Sequence, residues 1–248
     1  MIALLACVLA IQPESKTYQV DGVDRRALIF APSKKSAHPP LVFGFHGHGG
    51  TAKNSASKFD LQSHWPEAVV IYMQGLATKT SRDPRGLRAG WQNLAGADGD
   101  RDLKFFDAVL EDVTHRLSID PKRIFAMGHS NGAGFTYTLW QMRHDKLAAV
   151  GAVAGTFRER LGLRPLPCFV AAGTRDNIVD FDQQVRGIRA MAKFSGVTDD
   201  VDTSPKLTSR LYKGSKADLM VFIYDGTHAF PEAATPQMVE FFKNHPRP

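Results

Sequence analysis

Cysteine is scarce in this chain: two residues in 248, Cys7 and Cys168. A disulfide framework is thereby excluded, and neither cysteine belongs to a C-x-x-C spacing that would hold zinc. Cys168 lies in the apolar run Pro167-Cys168-Phe169-Val170-Ala171-Ala172 and reads as a small buried side chain. Long apolar stretches are lacking too. Residues 2–10 are unbroken apolar, but a bilayer span needs ~20 residues, so stable membrane insertion is not expected there or elsewhere. A secretory h-region followed by small residues fits better, although no basic residues precede it. Residues 1–12 are therefore a candidate signal peptide, implying a secreted or periplasmic protein, and Leu4-Leu5-Ala6-Cys7 also matches a lipoprotein box. An ordinary N-terminal apolar strand is the competing interpretation.

Dense charge is absent as well. The 31 Lys+Arg against 25 Asp+Glu leave +6, which favours anionic surfaces at long range. The basic residues are scattered in ones and twos, as at Arg25-Arg26 and Lys34-Lys35, and no nucleic-acid reader motif accompanies them. No nucleic-acid partner is expected. No G-K-[ST] follows the glycine-rich stretch near residue 47, which argues against a phosphate cradle. Asp98-Gly99-Asp100-Arg101-Asp102 opens like a calcium loop, but its sixth position is Leu103 and its twelfth Val109, where calcium loops need Gly and Glu. His46 and His48 have no third ligand at fitting spacing. No metal and no cofactor are expected, and the pattern leaves the oligomeric state open.

What is present is ordinary globular material, 43% hydrophobic and 23% charged, at a length that suits one domain over residues 13–248. Thr17 to Ala31 reads as two strands about Asp21-Gly22, a hairpin signal. Short apolar runs follow at 41–45, 68–72, 123–127, 148–153, 168–171 and 219–224, as in parallel strands covered on both faces. Between them lie helical patterns at 103–117, 134–142, 181–194 and 235–243, the first with Leu103, Phe106, Leu110, Val113 and Leu117 on one side. The alternation predicts an α/β fold with a mostly parallel central sheet, an N-terminal antiparallel hairpin and helices on both faces. Residues 77–102 form a polar loop where a substrate-facing excursion is expected, and 196–206 read as a surface insertion.

Gly128-His129-Ser130-Asn131-Gly132 matches G-x-S-x-G. A strand precedes it and Ala133-Gly134-Phe135 opens a helix, which resembles the nucleophile elbow of α/β-hydrolases. A serine hydroxyl needs a base, and the base needs a partner that fixes its tautomer. In α/β-hydrolases these follow the serine in the order acid, then histidine. Only His144, His228 and His245 come after Ser130. His144 ends the helix behind the elbow and His245 lies in a Pro-flanked tail, which leaves His228, after the last strand. The acid should follow the penultimate strand, where Asp176 is favoured over Asp180, a residue placed to cap the next helix. His46-Gly47-His48-Gly49-Gly50 follows the first parallel strand, so the backbone N–H of His48 or Gly49 is expected to pair with that of Asn131 as an oxyanion hole. Trp91 lines a substrate pocket or anchors its loop. Trp65 and Trp140 read as packing residues.

The chain resembles the polyhydroxybutyrate depolymerase-type esterases, a branch of the α/β-hydrolases that includes feruloyl and acetylxylan esterases. The resemblance rests on His46-Gly47-x-Gly49-Gly50, on Trp91 ahead of Asp102-x-x-Phe105, and on Ile119-Asp120-Pro121-x-Arg123-Ile124. It continues through the Ser130 motif, Gly173-Thr174-x-Asp176 and Gly226-Thr227-His228-x-Phe230-Pro231. It departs at His48, where the family often has cysteine, at Tyr72-Met73-Gln74-Gly75, and in its few cysteines. The resemblance implies ester hydrolysis through an acyl-enzyme, with Ser130, Asp176 and His228 as triad, on polyhydroxyalkanoate oligomers or on feruloyl or acetyl esters of plant polysaccharide. A serine peptidase on the same fold and a catalytically silent binding protein are the alternatives.

Overall fold

The computed structural model describes residues 12–248. The apolar run of the candidate signal peptide and the lipoprotein-box match at Cys7 lie outside the described residues. The chain opens with a hairpin, β1 (Glu14–Val20) and β2 (Val23–Phe30), turning at Asp21-Gly22 as expected. The parallel strands are β3 (Leu41–Phe45), β4 (Val69–Met73), β7 (Ile124–His129), β8 (Ala149–Val153), β9 (Cys168–Gly173) and β11 (Leu219–Tyr224). The short β10 (Arg210–Tyr212) runs antiparallel to β11 at the far edge, and β5 (Leu76–Ala77) with β6 (Ala89–Gly90) makes a separate two-strand ladder. The main sheet runs β1-β2-β4-β3-β7-β8-β9-β11-β10.

Six α-helices complete the described residues: α1 (Ala52–Phe59), α2 (Leu61–His64), α3 (Arg101–Leu117), α4 (Asn131–Arg143), α5 (Phe181–Ser195) and α6 (Ala234–Lys243). Side chains alternate across the strands, so each strand feeds two cores. Phe43, Phe45, Ile71 and Met73 pack with Leu103 and Phe106 of α3, Phe135 of α4 and Met191 of α5. Val42, Val70 and Tyr72 pack on the other face with Phe59 of α1, Leu61 of α2 and Met238 and Phe242 of α6. Strands buried on both faces explain why their runs are continuously apolar rather than alternating. Several short elements lack that signal. The α1 sequence, Ala-Lys-Asn-Ser-Ala-Ser-Lys-Phe, is mostly polar and rests on a Thr51 side-chain cap to the Asn54 N–H, while α2 and β10 are four and three residues long.

The hairpin also reaches the loop before α3. Arg25 is buried, lies 4.3 Å over the Phe105 ring, and meets Asp102 Oδ1 at 2.7 Å. Asp102 Oδ2 accepts the Gln92 N–H at 2.8 Å. Losing one partner of such a buried pair typically costs about 3–5 kcal/mol, because the other charge is stranded. One ion pair therefore ties the first two strands to the loop that carries Trp91.

Candidate active site

Ser130 occupies the one-residue gap between β7 and α4, at φ 56° and ψ −118°. This is a sparsely populated region for a side-chain-bearing residue, and such strain is held only where the surroundings enforce it. The flanking glycines show how. A Cβ on Gly128 would stand 2.2 Å from the Gly132 carbonyl oxygen, and one on Gly132 would stand 2.2 Å from the Phe45 carbonyl oxygen. The elbow is closed backbone against backbone, and only glycine leaves room. Ser130 N–H donates to Val153 O at 2.9 Å, fixing the turn to β8. The N-terminus of α4 begins directly behind the hydroxyl.

The remaining groups arrive from the strand ends on the other side. Tyr224 of β11 pairs in register with Gly173 of β9, so the loops after these strands leave the sheet side by side. The Thr174 N–H bonds Tyr224 O at 3.0 Å and the Arg175 N–H bonds Gly226 O at 2.8 Å. His228 Nε2 lies 2.7 Å from Ser130 Oγ, and His228 Nδ1 lies 2.8 Å from Asp176 Oδ2. With the Nδ1–H donating to the carboxylate, Nε2 is left as the acceptor for the serine proton. Asp176 is buried, and its Oδ1 accepts the N–H groups of Ile178 and Val179, each at 2.9 Å. Its Oδ2 also accepts from Gln184 Nε2 at 3.0 Å. Asp180 sits apart from this cluster and caps α5 through the Gln183 N–H at 3.0 Å. His144 is at the C-cap of α4, and His245 pairs with Asp218 at 2.9 Å.

Gln184 and His129 are supporting residues that sequence inspection did not single out. Gln184, on the first turns of α5, braces the carboxylate and also donates to Val179 O at 2.7 Å. His129 Nε2 donates to the backbone carbonyl of His228 at 2.7 Å, and the two rings lie 5.0 Å apart. Burial, reinforced by the neighbouring His228, lowers the His129 pKa from 6.5 to about 4, so His129 is neutral near pH 7 and fastens the loop without adding charge. A polar side chain at the second position of the motif and a glutamine after an acidic cap are the only local signals for these roles. Burial pushes the Cys168 thiol far up, which excludes it as a nucleophile.

The oxyanion side is corrected in one respect. The Gly49 N–H is spent on Ala89 O at 2.7 Å, because β6 folds against the glycine loop. Gly49 is therefore no oxyanion donor. The backbone N–H groups of His48 and Asn131 have no partner among the described residues. The His48 ring is tied to Asp83, Nε2 to Oδ2 at 3.1 Å. The Asn131 side chain clasps the next loop: its Oδ1 accepts the Trp91 N–H at 2.7 Å and its Nδ2 donates to Trp91 O at 3.1 Å.

Trp91 itself does not line the cleft. It is fully buried, stacked on Phe135 at 5.3 Å and 14°, with its indole N–H on His46 O at 2.8 Å. An apolar ring with one donor is satisfied by that slot, and the residue is a loop anchor. Trp65 and Trp140 are buried packing residues, as expected.

Two cavities meet at Ser130. One of about 430 Å³ is bounded by Gly47, Asn54, Lys58, Phe59 and Phe230. The other, about 1070 Å³, lies under the 77–102 loop and reaches the 154–160 and 177–183 segments. His48, Ser130 and His228 border both. Residues Thr80, Arg82, Arg88 and Asn93 of the 77–102 loop thus form part of the wall of the larger cavity. A hydroxyl, an imidazole and a carboxylate in bonding sequence, beside two free backbone donors, can attack a carbonyl and stabilise the charge that develops on its oxygen.

No protein-family profile matches the chain. It is similar to a probable feruloyl esterase C of Aspergillus oryzae, with 29% identity over 222 residues, covering 84% of this chain and 79% of the relative. Among solved structures it is similar to native pOPH, with a TM-score of 0.72 and 11% identity over 97% of this chain and 90% of the other. It is also similar to an acetyl xylan esterase from Aspergillus awamori, with a TM-score of 0.66 and 14% identity over 93% and 99%. At such identities the two structural likenesses show the shared fold.

Proposed function

We infer that this carboxylic ester hydrolase, an α/β-hydrolase related to the feruloyl and acetylxylan esterases, works through an acyl-enzyme on Ser130. The observation that carries the inference is the chain of contacts from Ser130 Oγ to His228 Nε2 at 2.7 Å and from His228 Nδ1 to Asp176 at 2.8 Å. Ser130 Oγ bonds to the ester carbonyl carbon while His228 takes its proton. The carbonyl oxygen, now negative, faces the N–H groups of Asn131 and His48. The tetrahedral adduct collapses, the alcohol departs with the proton held by His228, and the acyl group remains on Ser130. Water repeats the sequence with His228 as base and frees the acid. Asp176 keeps Nδ1 protonated throughout and balances the transient imidazolium.

The relatives are named for feruloyl and acetylxylan esters, and acyl esters of polysaccharide are the substrate class proposed here, with hydroxyalkanoate oligomers as the competing class. Residues 13–248 are taken as the catalytic unit, acting outside the cytoplasm if residues 1–12 are a leader. The test is direct. A fluorophosphonate should label Ser130, and Ser130→Ala should lower 4-nitrophenyl acetate turnover by ~10³-fold or more. A folded protein that stays unlabelled, or a loss below about tenfold, would overturn the assignment and favour a binding role. Cleavage of small peptides at a rate rivalling the ester would favour a peptidase instead.

A further inference from the structure

The larger cavity beside Ser130 has an unusual charge. Its wall carries Arg82, Arg88, Arg158 and Arg160 against one carboxylate, Asp180, in a chain with 31 basic and 25 acidic residues in all. None of these four guanidinium groups is in an ion pair among the described residues. Arg82 donates to Ile178 O and Arg160 to Asn93 O and to Thr138 Oγ1, each at 2.8 Å. These are neutral acceptors, so their charge is undiminished. The side chains of Arg88 and Arg158 are exposed and make no hydrogen bond among the described residues.

The nearby carboxylates keep their charge but pair with none of these arginines, and only Asp180 stands in the wall. Asp180 caps α5. Asp83 accepts from the His48 ring and from the N–H groups of Gly86 and Arg88, not from a guanidinium. Asp176 serves His228 from below. Glu159, between two of the arginines in sequence, is exposed and outside the cavity wall. A cleft lined by one sign of charge focuses its field inward and raises the local concentration of oppositely charged ligands. Arginine also presents a planar fork that matches a carboxylate.

Resting on the esterase assignment, we propose that this cavity takes the alcohol half of an ester bearing a carboxylate. The acyl half, small in acetyl and hydroxybutyryl esters, then occupies the cavity of about 430 Å³. The same chemistry is found in two sources, a uronate-bearing acetylated glycan and a hydroxyacid oligomer with a free acid end.

The experiment compares 4-acetoxybenzoate with 4-acetoxybenzamide, which differ in charge on the alcohol half. The carboxylate should be favoured at least about fivefold in kcat/KM at low salt, and the preference should shrink towards unity at 0.5 M salt as screening sets in. Arg88→Gln with Arg158→Gln should cut the ratio at least about twofold, while Arg88→Lys with Arg158→Lys should keep most of it. Acetylated xylan with and without glucuronate branches, and the 3-hydroxybutyrate dimer with its amide, separate the two sources. Hydrolysis of both acetyl esters with a ratio near one overturns the proposal and leaves the esterase assignment standing. Hydrolysis of neither overturns both.

Discussion

Replacing Gly132 with alanine tests whether the elbow geometry, rather than the mere presence of three side chains, makes the site. The new Cβ would lie 2.2 Å from Phe45 O and 2.6 Å from His46 O. Both are backbone atoms at the end of β3, a strand paired on both sides, and cannot swing away. An ordinary carbon–oxygen contact is wider by about 1 Å, so the first turn of α4 must retreat by about that amount. Alanine improves intrinsic helix propensity by about 1 kcal/mol over glycine, but overpacking against fixed neighbours costs about 1–3 kcal/mol. The clash should win, lowering Tm by a few degrees. Ser130 Oγ and the Asn131 N–H ride on the same turn, and a misplacement of 1 Å can cost ~10²-fold in rate. We therefore expect kcat/KM for 4-nitrophenyl acetate to fall by about 10²-fold in protein whose circular dichroism is native. A folded Gly132→Ala variant keeping more than a third of wild-type kcat/KM would refute this account of the elbow.

Two further outcomes follow from the supporting residues. Gln184→Leu removes one of the four donors to Asp176, worth about 1.5–3 kcal/mol as a bond to a charged group. It also removes the unpartnered Gln184 Oε1, so kcat should fall about tenfold with little change in urea midpoint, and unchanged kcat would dismiss Gln184 as a brace. His129 is neutral in the fold with a pKa lowered from 6.5 to about 4. The unfolded chain therefore binds the extra proton between those values, and stability falls as pH drops through that window, by on the order of 3 kcal/mol in all. Urea unfolding at pH 7, 5.5 and 4.5 should show this loss in the wild type and a flatter profile in His129→Gln; parallel profiles would remove His129 as its source.

The parallel strands were legible because burial on both faces forces continuous apolar runs, such as Leu41-Val42-Phe43-Gly44-Phe45. The order Ser130, Asp176, His228 was legible because each follows a strand, and strand ends on one side of a parallel sheet converge. Other features depend on neighbours distant in the chain. The Gly49 N–H looked available until β6 folded onto it, and the choice for Trp91 between pocket wall and loop anchor is decided only by Phe45, Phe135 and His46, which enclose it. Gln184 and His129 gain their roles only when α5 and the His228 loop are docked. Helix α1 was missed because its apolar face is three alanine- and phenylalanine-sized contacts in a polar octamer.

That His48, Ser130 and His228 border both cavities has a consequence for traffic through the enzyme. With the alcohol half in the larger cavity and the acyl half in the smaller, as proposed, the departing alcohol would not need to pass the fragment still attached. The space it vacates would then open onto the attached carbonyl and admit the water that releases the second product. Anything lingering in the larger compartment after the first bond breaks will therefore slow turnover by blocking water, even where it never touches the serine.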